Sequence, residues 1–306
     1  MERVIRNKIK IGISSCMYGS NFRYNGKGYD ITKHIGRDRS NFIWYPICPE
    51  VNGGLGIPRS PIHVSGESGD NVWDGSGRIR DRSGRDQTDK LISGCVDGLR
   101  QLKENQIKVY IFMEGSPSCG IYRTSLKNNR LGKPPGVFGS LLLKEEIFLI
   151  PAMDLQSPIK KWDWFRRMYS FLWVDEMIID SKDSLYEMWH TVKFLCQEVD
   201  EKRARILGRK MANLGKYVED EKLSEMKREV LMMLRKPSSL SKIKNRLWKH
   251  YKYYEKKMKL DVEEVYEPRD NVSMGRLAKK ITEIELELYD RGEFFSLSPI
   301  LNRSGR

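Results

Sequence analysis

The chain has 306 residues, of which 39% are apolar and 31% charged, a balance typical of folded domains and not of disordered chains. This length is enough for two domains with separate cores. The formal net charge of +14 is divided equally between residues 1–155 and the rest, which favours a polyanionic partner such as RNA or DNA. A lysine-rich surface without such a partner is the plainer alternative.

The cellular compartment is indicated by what the sequence lacks. The N-terminal stretch MERVIRNKIK has no apolar signal-peptide core, and no window has the length of a membrane-spanning helix. The five cysteines are widely spaced and odd in number, which argues against a disulfide framework. We therefore expect a cytoplasmic protein with no membrane partner. The sequence indicates no oligomeric state.

Strand and helix patterns alternate in the first half of the chain. Short apolar runs bounded by turn residues predict strands at 8–14, 42–47, 108–113 and 147–150. Amphipathic patterns predict helices at 86–104 and 136–145. This alternation predicts an α/β fold with a mostly parallel, Rossmann-like sheet. Two Gly-rich stretches, 52–86 and 115–136, are predicted as long functional loops.

A linker is predicted at 151–160, which contains two prolines. The residue pattern after it differs from that of the first half. Beyond it, periodic apolar residues predict helices at 182–210, 219–236, 240–259 and 272–291. The predicted organisation is therefore an α/β domain over residues 1–155 followed by an all-α helical domain over 156–306.

Three cysteines each follow a predicted strand. Cys16 ends KIKIGISSC, Cys48 ends FIWYPIC, and Cys119 follows KVYIFMEGSPS. If the three strands are parallel neighbours, the thiols meet at the carboxyl edge of the sheet, where α/β proteins bind ligands. Three thiolates with no fourth partner nearby predict a metal centre with an open position. Cys95 and Cys196 lie on apolar helix stripes and are predicted to be core residues.

The spacing of the three cysteines restricts the type of metal centre. It excludes the C-x-x-C knuckles of structural zinc and the compact cysteine run of ferredoxins. An iron–sulfur cluster with one iron lacking a protein ligand suits three strand ends. Zinc with His34 or His63 as fourth ligand is the alternative.

Polar residues near these cysteines are candidates for chemistry. Glu50 follows Cys48 by two positions and could position or deprotonate a water, or be an exposed loop glutamate. Ser116 and Ser118 could bind cluster sulfurs, a substrate or a water, or only turn backbone. Arg59 ends the segment NGGLGIPR, which lacks the spacing of a P-loop or dinucleotide fingerprint, so no nucleotide cofactor is predicted.

Two basic segments are predicted to contact nucleic acid. In residues 241–259 Lys and Arg alternate with Trp248, Tyr251, Tyr253 and Tyr254, and charge beside aromatic rings suits an RNA backbone and its unstacked bases. Tyr251 and Tyr254 also share a helical spacing with Leu247 that is typical of core residues. The predicted contacts are Arg78, Arg80, Arg82, Lys244, Arg246, Lys249 and Lys252.

Three blocks occur in this order: SSCMYGSNFRYNG, CPEVNGGLGIPRSP and GSPSCGIY. Through these blocks, roughly residues 8–150 resemble the thiouracil desulfidase family. The resemblance implies a [4Fe-4S] cluster held by Cys16, Cys48 and Cys119, whose open iron takes the sulfur of a thiolated uracil. It also implies that Glu50 and Ser116 are catalytic. We further predict that Ser118 and Arg59 bind the substrate.

The second half is similar to the YbgA-like helical domain through LYEMWHTVKFL, LGRKMANLGKYV and NRLWKHYKYYEKK. Trp189-His190 replaces the usual Phe-His there, and the loop at 65–86 is longer and more charged than the first family leads us to expect. Fusions of the two domains resemble enzymes that remove sulfur from 4-thiouridine in tRNA, giving uridine and hydrogen sulfide. Two alternatives remain: a desulfidase of free thiouracil, and a non-catalytic nucleic-acid-binding protein stabilised by its metal.

Overall fold

The computed structural model describes residues 2–65, 68–123, 133–215, 217–258 and 271–304. The chain divides into two compact units. One comprises residues 8–156, and the other combines residues 2–7 with residues 157–304.

The strands and helices of the described residues are numbered in chain order. The strands are β1 (Val4–Ile5), β2 (Ile9–Ser14), β3 (Phe42–Ile47), β4 (Ile62–Ser65), β5 (Arg78–Asp81), β6 (Val109–Phe112), β7 (Phe148–Pro151) and β8 (Leu301–Asn302). The helices are α1 (Pro49–Asn52), α2 (Gly69–Trp73), α3 (Thr88–Glu104), α4 (Val137–Lys144), α5 (Pro158–Glu176), α6 (Lys182–Val199), α7 (Glu201–Ala212), α8 (Asp220–Arg235), α9 (Leu240–Met258) and α10 (Asn271–Asp290). The predicted α/β class is confirmed, and the four predicted strands are correct to within one residue at each end.

The central sheet of the first unit has four parallel strands in the order β3-β2-β6-β7. Every residue of β6 is buried, as expected for a parallel strand covered on both faces. The chain leaves β2 toward β3 on one side and leaves β6 toward β7 on the other. The carboxyl ends of β2 and β6 therefore flank a topological switch point, the place where such sheets bind ligands.

The stretch 52–86, predicted as a loop, contains secondary structure. β4 and β5 form an antiparallel pair in which Ile62 is opposite Asp81 and Ser65 is opposite Arg78. α2 belongs to the segment that connects the two strands in the chain. In β5 the side chains alternate between exposed and buried, the usual pattern of a strand with one solvated face. The prediction was wrong because four-residue strands among glycines and charges leave only a short periodic signal.

Two glycines bring α1 close to α3. A Cβ atom at Gly94 would lie 1.9 Å from the carbonyl oxygen of Pro49, and one at Gly53 would lie 2.0 Å from that of Lys90. Only glycine permits this approach of two backbones. The contact fixes the short helix that directly follows Cys48.

We predict that Gly94→Ala destabilises the protein by about 1–3 kcal/mol, because α1 or α3 must move to admit the methyl group. Gly275→Ala is the matched control, since a Cβ at this helical glycine of α10 meets nothing within 4 Å. It should stabilise α10 by about 0.5–1 kcal/mol. Thermal unfolding of both variants checks the difference, and equal melting temperatures would contradict it.

The helical unit contains α5 to α10, with β1 and β8 paired in parallel. Two predicted boundaries were wrong. The single helix predicted at 182–210 is two helices, because Asp200 ends α6 and accepts a hydrogen bond from the Arg203 amide at 3.1 Å to cap α7. The linker predicted at 151–160 contains the start of α5, where Pro158 occupies a first-turn position that tolerates proline. None of the helices described is both long and apolar enough to cross a membrane.

Four charged side chains lie inside the helical unit, and none of them was selected from the sequence. Asp163, Arg166, Arg167 and Glu198 are each at most 4% exposed. Arg166 binds Asp163 and Glu198, and Arg167 binds Asp163 at 2.8 Å and the Leu234 carbonyl at 3.0 Å. Burial alone would raise the pKa of Asp163, but the Arg167 and Arg166 guanidinium groups hold it below its usual range. Removing one member would leave a buried charge without its partner.

Candidate metal centre

Cys16, Cys48 and Cys119 line one cavity of about 270 Å³ at the carboxyl edge of the sheet. Cys16 lies in the 3-10 turn Ser15–Met17 that follows β2, and Cys48 follows β3 directly. Cys119 lies on the loop that follows β6. Adjacent parallel strands therefore bring together three residues that are far apart in the chain. Cys95 and Cys196 are fully buried elsewhere, which confirms them as core residues.

Without a bound cation the three thiols are protonated at neutral pH, because burial disfavours their charged form. Burial, with further contributions from Cys48 and Glu50, raises the pKa of Cys16 to about 12. Burial also raises the pKa of Cys48 and of Cys119, and nearby thiolates add to the effect for Cys119. Three thiolates cannot share this cavity at neutral pH unless a cation compensates their charge. The donor set therefore suits a thiolate-binding metal group.

The histidines of the zinc alternative lie away from the cavity. His34 forms a hydrogen bond of 2.8 Å with the Tyr29 hydroxyl, and His63 of β4 is opposite Arg80 of β5. In the part of the chain that the structure describes, no three His, Cys, Asp or Glu side chains form a group that could hold a metal ion. An iron–sulfur cluster is larger than one ion, and its ligands need not converge on a point. The positions of His34 and His63 do not support the zinc alternative.

Glu50 is buried in the wall of the cavity and not exposed on a loop. Pro49 begins α1, and the tight packing of α1 on α3 fixes the backbone that carries Glu50. The Glu50 carboxylate accepts two hydrogen bonds from Arg59 on Oε2 and one from the Ser118 hydroxyl on Oε1, at 2.6 Å. Both oxygens are therefore held in place.

The two serines of the Ser-Pro-Ser-Cys loop form a hydrogen-bonded chain that ends at Glu50. Ser118 Oγ donates to Glu50, and the oxygens of Ser116 and Ser118 are 2.9 Å apart. Because Ser118 has one hydroxyl proton and gives it to Glu50, Ser116 must be the donor to Ser118. Ser116 Oγ accepts from the amides of Ser118 and Cys119, at 3.2 and 3.1 Å. The hydroxyl protons of Ser116 and Ser118 therefore both point along the hydrogen-bonded series toward Glu50.

The backbone of this loop is held by the first turn of α4. The amide of Val137 donates to the Pro117 carbonyl at 3.0 Å, and the amide of Phe138 donates to the Ser118 carbonyl at 2.9 Å. Amide groups at the start of a helix lack intrahelical partners, so the loop satisfies them while they fix the loop. Gly136 permits the approach, because a Cβ there would lie 2.6 Å from both carbonyl oxygens.

Arg59, predicted to bind the substrate, directs its donors to the protein. Its Nε and Nη2 bind Glu50, and its Nη1 donates to the carbonyls of Phe22 at 3.0 Å and Gly56 at 3.1 Å. The backbone amide of Arg59 also donates to the Tyr24 carbonyl at 2.9 Å. These four side-chain bonds use four of the five N–H donors of a guanidinium, which leaves one Nη2 hydrogen for a substrate. Arg59 therefore orients Glu50 and the segment 22–24, and its predicted contact with the substrate stays a prediction.

The lining of the cavity includes further residues that were not selected from the sequence. Phe22, Tyr24, Pro61 and Ile62 provide apolar walls, and Arg23 adds a cation. A slot with apolar walls and few polar groups suits a planar heterocycle. The available signal was the block SSCMYGSNFRYNG, which contains Phe22, Arg23 and Tyr24 and was used only for the cysteine it carries.

The predicted nucleic-acid contacts lie in both units and none of them lines the cavity. In the first unit, Arg78, Arg80 and Arg82 are exposed on or beside β5, and Arg78 and Arg80 bind carbonyl groups of the same segment. In α9 of the second unit, Lys249 and Lys252 are exposed and Lys244 is half-buried, while the Arg246 side chain lies outside the described residues.

The aromatic residues of α9 have different surroundings. Tyr251 and Tyr254 are buried with Leu247 in the helical core, which confirms the core spacing predicted for them. Trp248 stacks on Tyr251 with ring centroids 5.7 Å apart, and Lys252 lies over the Trp248 ring. Tyr253 is 59% exposed and is the ring of this group that is open to a stacked base.

A parallel α/β sheet whose switch point places three cysteine thiols beside a fixed carboxylate defines an α/β protein with a candidate thiolate metal site. The chain belongs to the 2-thiouracil desulfurase family, whose model matches residues 11–154. It is 32% identical over 151 residues to the uncharacterized protein YbbK of Bacillus subtilis (strain 168), covering 47% of this chain and 97% of that protein. Among solved structures it is 28% identical to the [4Fe-4S]-dependent thiouracil desulfidase TudS, with a TM-score of 0.37, covering 47% of this chain and 91% of that one. Residues 155–306 lie outside the family model.

Proposed function

We propose that the protein is a non-redox desulfidase that removes sulfur from 4-thiouridine in tRNA, using a [4Fe-4S] cluster held by Cys16, Cys48 and Cys119. The observation that supports this most is the arrangement of three cysteines, one buried and two half-buried, around one cavity, with the buried Glu50 in its wall. Membership of the 2-thiouracil desulfurase family supports the chemistry. The reaction exchanges the thiocarbonyl sulfur for the oxygen of water and releases hydrogen sulfide.

The Glu50 side chain is the base of the proposed reaction. When bound, the cluster supplies a Lewis acid at its open iron, which polarises the carbon–sulfur bond of the thiolated base. Glu50 takes a proton from the attacking water as the water oxygen bonds to the ring carbon. The carbon–sulfur bond then breaks as the added hydroxyl group loses its proton to become the carbonyl, and Glu50 passes this proton and the first one in turn to the departing sulfide. Atoms balance as thiocarbonyl plus water giving carbonyl plus hydrogen sulfide.

The two serines assist Glu50 in different ways. Ser118 donates to Glu50 Oε1 and keeps the carboxylate directed into the cavity. Ser116 completes the hydroxyl chain, and its two amide hydrogen bonds set the conformation of the loop that carries Cys119. We propose that Ser116 has this supporting role in catalysis, with Ser118 closer to the substrate.

The helical domain is proposed to bind the tRNA. It has half of the net charge of the chain, and Lys249, Lys252 and Tyr253 are exposed on α9. Cations bind phosphates without regard to sequence, and an exposed ring can stack on an unpaired base. A free base would need none of these contacts.

The test is an anaerobic assay of the reconstituted protein on tRNA that contains 4-thiouridine and, separately, on free 4-thiouracil. The proposal expects loss of the thiocarbonyl absorbance and release of sulfide with tRNA, weakened by added salt. The Lys249→Ala/Lys252→Ala double variant should raise KM for tRNA and leave turnover of the free base unchanged. Turnover of the free base alone would contradict the tRNA proposal while keeping the chemistry. No turnover of either substrate by protein with a full complement of iron would refute the desulfidase assignment.

We predict that Arg59→Lys lowers kcat about tenfold, because an ammonium group has one nitrogen and cannot donate to Glu50 Oε2 from two sides and also bind the Phe22 carbonyl. KM for free 4-thiouracil should change less than kcat, and the iron content should stay at the wild-type level. Arg100→Lys is the control, since Arg100 pairs with Asp97 on the exposed side of α3. A rise in KM with unchanged kcat would favour direct binding of the substrate by Arg59.

A further inference from the structure

A second cavity, of about 320 Å³, adjoins the candidate metal centre. Arg59 and Ile62 line both cavities, so the two share a wall made by the segment 59–62. The polar residues of the second cavity are Arg59, Ser60, Asp81, Arg85, Gln87 and Lys90. We refer to it below as the Lys90 cavity.

The charges of the Lys90 cavity leave one cation uncompensated. The Arg59 guanidinium is paired with Glu50, and the Arg85 guanidinium is paired with Asp81 at 2.9 Å. Hydrogen bonds from Ser83 and Arg85 hold the pKa of Asp81 well below its usual range, so this carboxylate stays ionised and engaged. Among the described residues, neither the Lys90 ammonium nor the Ser60 hydroxyl has a side-chain or backbone partner.

These groups have the chemistry of a phosphate site. An ammonium and a hydroxyl are hydrogen-bond donors that suit phosphate oxygens, and the Lys90 charge is left over because Glu50 and Asp81 offset the two guanidinium groups. The cavity is lined mainly by polar groups, which disfavours an apolar heterocycle. The first cavity, in contrast, has apolar walls that suit the base.

We propose that the Lys90 cavity binds a backbone phosphate of the RNA strand next to the thiolated nucleotide. This inference rests on the proposed function. Because the two cavities share a wall, a strand can place its thiolated base beside the cysteines and an adjoining phosphate beside Lys90. The site would favour a polynucleotide over a free base within the α/β unit itself, independently of the helical domain.

The test compares Lys90→Ala with the wild type, both as the full-length reconstituted protein. The substrates are a short single-stranded RNA with one 4-thiouridine and free 4-thiouracil. We expect KM for the RNA to rise about fivefold with unchanged kcat, and both constants for the free base to stay the same. The slope of log Kd against log salt for the unmodified RNA should become less steep by about 0.7, the loss of one phosphate contact. Lys90→Arg should restore binding.

Lys103→Ala is the matched control, because it removes the same charge at the other end of α3, about 20 Å away along the helix. Lys103 is paired with Glu145 and lies outside the Lys90 cavity. Equal weakening by Lys90→Ala and Lys103→Ala would overturn the phosphate site, as would an equal rise in KM for the free base. The unmodified RNA measures binding apart from reaction. If its binding depends on Lys90 but the RNA with 4-thiouridine is not turned over, the phosphate site is supported and the proposed function is refuted. If the RNA with 4-thiouridine is turned over equally well with and without Lys90, the proposed function is supported and the phosphate site is refuted.

Discussion

Replacing Cys119 with alanine is expected to remove the proposed iron–sulfur cluster and lower the rate of desulfidation by at least about a thousandfold. Three thiols are the whole cysteine set of the cavity, so the variant retains only two of the three proposed ligands. The loop cannot supply a substitute, because the first turn of α4 and the Ser116 hydroxyl hold its backbone. Iron and acid-labile sulfide, measured after anaerobic reconstitution, report the loss of the group independently of activity.

Cys95→Ala is the control for this prediction. Cys95 is fully buried on α3 in the same hydrophobic core as Cys119, but it does not line the cavity. It should retain iron and activity and lose about 1 kcal/mol of stability, the cost of a small void. Full iron content in Cys119→Ala would refute its role as a ligand. Loss of iron in Cys95→Ala would show that damage to the core alone can empty the site.

The place of the candidate site could be predicted from the sequence because strand ends are local features. Cys16 and Cys48 follow strands of apolar and β-branched residues. Parallel pairing of these strands places their carboxyl ends at the same edge of the sheet. The region of the sheet that carries the proposed ligands depends only on this geometry. Short apolar runs and their order along the chain were therefore sufficient to predict where the candidate site lies.

The partners of Glu50 could not be predicted in the same way. Ser118 is 68 positions away in the chain, and its bond to Glu50 depends on how two loops pack. Arg59 was predicted only as a substrate ligand, because a sequence does not show that most of its donors bind Glu50, Phe22 and Gly56. The buried pair of Asp163 with Arg166 was missed for a related reason, since charged residues on a helix usually face water.

Glu50→Gln is expected to lower kcat by about 10²–10⁴, the usual contribution of a general base, with the iron content unchanged. An amide has one oxygen to offer where the carboxylate has two. If that oxygen faces the Arg59 donors, the amide nitrogen faces Ser118 and must donate to it, which reverses the chain of hydroxyl groups. The variant therefore loses the base and also the orientation of the serines. KM should change little, because Glu50 acts on the water and not on the heterocycle.

Two further variants separate loss of the base from loss of orientation. Ser118→Ala removes the donor to Glu50 Oε1 but leaves the carboxylate and its Arg59 partner, so its kcat should fall by about tenfold, much less than that of Glu50→Gln. Glu104→Gln, the same chemical change near the exposed end of α3, should match the wild type in kcat, KM and iron content. Equal losses in Ser118→Ala and Glu50→Gln would mean that the hydroxyl chain, and not the carboxylate, carries the proton. A wild-type rate in Glu50→Gln would refute the base assignment, because no other carboxylate lines the cavity among the residues described.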